Sequence, residues 1–227
     1  MSVRAGVVVP AAGAGRRMGG VDKAFLELAG EPVLACTLRP FLDEPRVVAI
    51  VVALDPATAQ HPPHWLAQLD DRVIIVAGGA ERGDSVRNAL QALPDDLDII
   101  AVHDAARPLL TSTLVSRVID YAATGASVAA ALLVTDTIHE AAPDGTILRT
   151  PDRTGLWAAQ TPQAFPASVL RRAHHEAALA GVEATDDAAL VTRFGATVHI
   201  IEGERTNLKL TVSTDVIIAE ALIRSRE

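Results

Sequence analysis

Short β-branched runs recur along the chain, and each gives way to a turn and then to a segment with helical spacing. The runs occupy residues 5–10, 47–53, 73–77, 99–103, 128–133 and 197–202. A strand that is apolar throughout, rather than at alternate positions, is buried on both faces, so helices must cover both sides of its sheet. Helices are predicted over residues 32–42, 82–93 and 114–123, the second with Val86, Ala89, Leu90 and Leu93 on one face. A turn or more is expected within PPHWLAQL, and residues 166–180, 187–194 and 214–224 complete the set. The order predicts an α/β fold with an open, mostly parallel sheet in three layers, as one domain over residues 1–227. Residues 135–160 break the rhythm. They carry the charged turn EAAPDG between TDTIH and TILRT, which predicts a β-hairpin arm. A lone hairpin is marginal in water, so docking on a second subunit is the expected way to stabilise it.

Composition narrows the classes. Apolar residues make up 49% of the 227 but aromatics only 3%, so the core is expected to be aliphatic. A net charge of -8 argues against a broad basic surface for nucleic acid, yet leaves room for a local anion site. The single cysteine, Cys36, reads as a buried helical thiol, and no Cys/His spacing suggests structural zinc. With neither a signal-like segment nor a membrane span in view, a cytoplasmic location and no membrane partner are expected.

In an open parallel sheet, ligands sit beyond the carboxyl ends of the strands. Polar clusters fall there. The first is GAGRRMGGVDK after residues 5–10. Its sixth position from Gly13 is methionine, so it departs from the dinucleotide pattern G-x-G-x-x-G, and it lacks the GK-Ser/Thr ending of a P-loop. What remains is a glycine-rich turn beside Arg16, Arg17 and Lys23, suited to backbone amides and cations around phosphate. Asp104, at the end of IIAVHD, is either a carboxylate for Mg²⁺ shared with substrate phosphates or a turn cap. Arg107 beside it favours an anion site, and His103 is expected to be packed or orienting. In GGAERGDSV, Ser85 either contacts a ligand or supports the helix start. Lys209 in NLKLT, taken alone, reads as an edge-strand lysine.

Together PAAGAGRRMGGVDK, GGAERGDSV, HDAARP, TDT, PDRTGLWAAQTPQAF, TDDAALV and NLKLT resemble the 2-C-methyl-D-erythritol 4-phosphate cytidylyltransferase family, from about residue 7 to residue 215. This is a bacterial and plastid family of the non-mevalonate isoprenoid pathway. The resemblance implies a nucleotide-diphospho-sugar transferase-like, Rossmann-like fold and transfer of CMP from CTP to the polyol phosphate, with Mg²⁺ or another divalent cation. It also implies catalytic roles for Arg17, Lys23 and Lys209. Pro10, Ala11, Ala12, Gly13, Ala14 and Gly15 match the nucleotide loop, the last three wrapping the triphosphate. Gly79, Arg82 and Ser85 match positions around cytosine and ribose, and Asp104 matches the carboxylate near metal and nucleotide. Arg107, Thr137, Arg153 and Thr161 match the polyol-phosphate region, in a homodimer whose arm carries Arg153 across. The chain departs from the family pattern at Asp22, Ala80 and the TVSTD ending. The rivals are a cytidylyltransferase for ribitol 5-phosphate or another polyol phosphate, and a non-catalytic nucleotide-binding protein.

Overall fold

A computed structural model describes residues 3–13 and 23–225. The elements run β1 (Ala5–Pro10), a 3-10 turn at Lys23–Phe25, β2 (Glu27–Leu28), β3 (Glu31–Pro32), α1 (Val33–Leu42) and β4 (Val47–Leu54). There follow α2 (Pro56–Gln60), α3 (His64–Ala67), β5 (Val73–Ala77), α4 (Arg82–Ala92), β6 (Ile99–Val102), α5 (Ser112–Ala122) and β7 (Ser127–Leu133). The last third holds β8 (Glu140–Ala141), β9 (Ile147–Arg149), β10 (Trp157–Pro166), α6 (Ala167–Ala180), α7 (Asp187–Arg193), β11 (Val198–Glu202) and α8 (Ser213–Arg224).

The main sheet has seven strands in the order β11-β7-β10-β6-β1-β4-β5. Every pairing in it is parallel except those of β10, which runs antiparallel to both β6 and β7. The expected three layers are present. Val7, Val9, Ile50 and Val52 face a core closed by α1 and α5 through Leu34, Leu38, Phe41, Leu114 and Val118. Val8, Val51 and Ala53 face a second core closed by α4, α6 and α7 through Val86, Leu90, Leu170 and Leu190. Successive strand residues point to opposite faces, and both faces here are apolar, which is why β1 and β4 read as unbroken hydrophobic runs. Local chemistry sets the ends. Thr111 accepts the Leu114 amide at the start of α5, Asp55 caps α2, and Gly181, at φ 61, ends α6 in the left-handed region.

Strand β10 was absent from the sequence expectation, which passed from the arm directly to a helix at residue 166. Residues 157–160, assigned to the arm, belong to this strand, and the arm is closed at its base by the Val134 amide donating to the Leu156 carbonyl at 3.0 Å. Pro162 argues against a central strand because it cannot donate to a ladder. The structure accommodates it at an irregularity: register shifts between Ala159 and Gln163. Within the arm, TILRT supplies β9, whereas the partner strand is β8 rather than TDTIH. Cys36 is half-buried on α1, not fully enclosed. Burial, and then neighbouring Glu31, push its thiol pKa up, which suits an inert side chain. No helix among the described residues is long and apolar enough to cross a membrane.

Candidate active site

Strand β1 lies between β4 and β6, so the chain departs to either side of it and leaves a crevice beyond the carboxyl ends of β1 and β6. Pro10, Ala11, Ala12 and Gly13 leave β1 at this crevice, with the Ala11 amide still bonded to the Ala53 carbonyl at 2.7 Å. Ala14, Gly15, Arg17 and Asp22 lie outside the described residues. The second glycine turn packs directly on the first: a Cβ on Gly78 would come within 2.5 Å of the Ala12 methyl, and one on Gly79 would strike Asp84. Glycine is required at both positions by that approach. Ser85 is buried and accepts the Gly79 amide at 3.1 Å while donating to the Glu81 carbonyl at 3.2 Å. It supports the helix start and fixes the turn, one of the two roles the sequence allows it.

Asp104 stands at the crevice with three cations around it. Lys209 Nζ is 2.9 Å from Oδ2, Arg107 Nε is 3.5 Å from the same oxygen, and Arg82 Nε is 3.6 Å from Oδ1. Burial alone would raise its pKa, but Lys209, Arg82 and Arg107 hold the carboxyl down at about 2. The group is therefore ionised at neutral pH. Its amide donates to Thr161 Oγ1 at 3.0 Å, and that oxygen lies 2.9 Å from His103 Nδ1. The Arg107 carbonyl, 3.3 Å from Nε2, can only accept, so neutral His103 carries its proton on Nε2 and Thr161 donates its hydroxyl proton to Nδ1. His103 is an orienting residue, as expected, with its ring edge-on to Phe41. Thr161, expected at the polyol phosphate, is buried and its hydroxyl is engaged twice.

Burial lowers the His103 pKa from 6.5 to about 4, against the pull of Asp104. The unfolded chain then binds a proton that the folded chain refuses. Stability due to this group is complete above pH 6.5 and is lost as pH falls toward 4. The expected loss is on the order of 3 kcal/mol, read as a slope in urea-unfolding free energy between pH 7 and 4. His103→Asn should flatten that slope; an identical slope in the variant would contradict the assignment.

The late segment NLKLT meets the opening loop here. Lys23 Nζ donates to the carbonyls of Leu210 and Thr211 at 3.1 and 3.2 Å. Asp215 holds the same turn by accepting the Thr211 and Val212 amides at 2.6 and 2.9 Å. Asn207, fully buried, donates to the Thr161 carbonyl at 2.8 Å, and its own carbonyl accepts Arg107 Nη1 at 2.8 Å. Gln160 reaches the Glu204 carbonyl at 2.9 Å. Lys209 is thus not an edge-strand lysine: it is carried into the crevice by a segment pinned to β10. Asn207 and Gln160 were not singled out from sequence, although Asn207 stands within the quoted NLKLT.

Thr137 and Arg153 remain on the exposed arm, where Arg153 Nη1 donates to the Thr135 carbonyl at 2.7 Å. The arm's Ile138, Ile147 and Leu148 are also exposed, at 40%, 57% and 61%. No group of three or more His, Cys, Asp or Glu able to hold a metal occurs among the described residues. Asp104, expected to share a metal with substrate phosphates, has both oxygens turned to cations, so the described donor set does not fit a cation caged by protein groups alone. Among the described residues the crevice offers positive charge and backbone amides for a polyanion, with no nucleophile and base pair beside them.

A family model described as 2-C-methyl-D-erythritol 4-phosphate cytidylyltransferase matches residues 5–225. Among curated relatives of that name, the one from Symbiobacterium thermophilum is 47% identical, over 98% of this chain and 97% of its own. That from Synechococcus elongatus is 42% identical, over 97% of each chain. The crystal structure of the Thermus thermophilus protein of that name superposes with a TM-score of 0.83 at 36% identity, covering 99% of this chain and all of that one.

Proposed function

The chain belongs to the 2-C-methyl-D-erythritol 4-phosphate cytidylyltransferase family, and we propose that it transfers CMP from CTP to 2-C-methyl-D-erythritol 4-phosphate. The products are 4-diphosphocytidyl-2-C-methyl-D-erythritol and pyrophosphate. The observation that carries the reading for this chain is the cluster of Lys209, Arg82 and Arg107 around Asp104 beyond β6. Such a site neutralises and aligns two anionic substrates. The acceptor phosphate is already ionised, so it needs no general base. One of its oxygens forms a bond to the α-phosphorus of CTP as the bond to pyrophosphate breaks, and pyrophosphate leaves with that electron pair. Positioning and charge stabilisation supply the acceleration.

Within this reading the 227 residues act as one domain, with the arm of residues 135–156 serving a homodimer in the cytoplasm. The backbone of residues 10–15 takes the triphosphate, and Gly79, Arg82 and Ser85 shape the cytosine and ribose side. Arg17, Lys23 and Lys209 offset charge at the reacting phosphates. Asp104 holds the cations in register, and Mg²⁺ or another divalent cation enters on the triphosphate as part of the substrate. Arg107 serves the polyol phosphate, and Thr161 acts by fixing Asp104 and His103. The exposed apolar residues of the arm favour its burial on a partner, where Thr137 and Arg153 would complete the acceptor site.

Arg153→Ala is expected to raise KM for the polyol phosphate by roughly tenfold or more, the loss of a charge-assisted hydrogen bond. CTP affinity, titrated without the second substrate, should stay unchanged, and a defect mainly in CTP binding would oppose this placement. Acceptor identity is tested by pyrophosphate release across a panel of polyol phosphates. Release with methylerythritol phosphate is expected; release with ribitol 5-phosphate alone would favour the rival acceptor.

A further inference from the structure

Asp187 belongs to none of the sequence clusters placed at the crevice for ligand contact, yet it is joined to the site through Arg82. It opens α7, is 1% exposed, and stands between two groups. His174 Nε2 of α6 lies 2.8 Å from Oδ1, and Arg82 Nη1 of α4 lies 2.8 Å from Oδ2. Arg82 Nε then faces Asp104 at 3.6 Å, and Asp104 holds Lys209 at 2.9 Å. A single row of alternating charge therefore runs from the helical layer to the carboxyl end of β6.

The ordinary local role of such a residue is filled by its neighbour. Asp186 caps α7, accepting the Ala189 amide at 2.8 Å and Gln163 Nε2 at 2.9 Å. Asp187 is free of that task. A fully buried carboxylate must keep a cationic partner, and its partner is the first residue of α4, directly after the turn that carries Gly79. Arg82 is a long side chain whose freedom would otherwise smear its position. His174 holds the far oxygen, so the carboxylate cannot swing with the arginine.

We propose that Asp187, anchored by His174, is a positioning residue that fixes the Arg82 guanidinium against Asp104 and so preorganises the nucleotide side of the crevice. This rests on the reading that Arg82 serves CTP. Steady-state kinetics of Asp187→Asn with both substrates test it. KM for CTP should rise roughly tenfold or more, as misplacement of a positioning group does, while KM for the polyol phosphate stays within about twofold. In an Arg82→Met background, the further effect of Asp187→Asn should fall to about twofold or less, because the two act through one contact. An equal factor in both backgrounds, or an unchanged KM for CTP, would overturn the proposal. If Asp187→Asn does not fold, His174→Gln decides: a rise of about threefold in KM for CTP alone is expected, and no rise refutes it. A wild-type chain inactive with CTP would instead refute the proposed function, which keeps the two failures apart.

Discussion

Replacing Asp104 with alanine should lower the stability of the free protein and its turnover together. Arg107 is 8% exposed and Asp104 is its only acidic neighbour among the described ion pairs. Removing the carboxylate leaves a buried guanidinium facing Lys209 and Arg82 with nothing between them. Breaking a buried pair in this way costs about 3 kcal/mol or more. For a chain of this size that lowers the melting temperature by roughly 6–12 °C. Hydrogen bonds from Arg107 to the Asn207 and Ala159 carbonyls remain, so the fold should persist below the transition. Turnover should fall because Lys209 and Arg82 lose the group that sets their spacing. Bound CTP should restore part of the lost stability by supplying new negative charge. Scanning calorimetry with and without CTP checks both parts, and a melting temperature within about 2 °C of the parent would contradict the buried-pair argument.

Lys209→Ala should separate the two effects. Its side chain is 42% exposed, so its pairing with Asp104 adds little to stability in solvent. At the reacting phosphates the same charge is expected to matter far more, and loss of one such donor lowers kcat by roughly 100- to 1,000-fold. The variant should therefore melt close to the parent while kcat collapses. Near-normal kcat at saturating substrates would remove Lys209 from the chemistry and leave it as a partner of Asp104 alone.

What could be read in advance follows from what each feature depends on. Strands β1 and β4 are buried on both faces, so their own residues announce them. β10 is also central, but Pro162 and the polar Gln160, Thr161 and Gln163 give it the look of a loop. Those polar groups are there because the strand's irregular stretch turns Thr161 toward His103, Gln160 toward Asn207 and Gln163 toward Asp186. Of the arm's two strands, β9 falls within TILRT, while β8 lies just beyond TDTIH, because neither face is buried and alternation has no core to report. In the site, Asp104 and the glycine turn of residues 78–85 were legible through their places just after strands, whereas Gly79 and Arg82 were singled out within that turn only by resemblance. Lys209 became legible only by resemblance, since its position depends on the late segment crossing to β10. The pairing of His174 with Asp187 depends on how α6 and α7 pack, and no local pattern carries it.

The central claim is that this chain moves the CMP unit of CTP intact onto an acceptor phosphate. CTP labelled at its α-phosphorus tests it most directly when incubated with the protein and 2-C-methyl-D-erythritol 4-phosphate. The account predicts label in 4-diphosphocytidyl-2-C-methyl-D-erythritol, unlabelled pyrophosphate in equal amount, and no CTP consumed when the acceptor is omitted. Label recovered as free CMP at the same rate with or without the acceptor would contradict it.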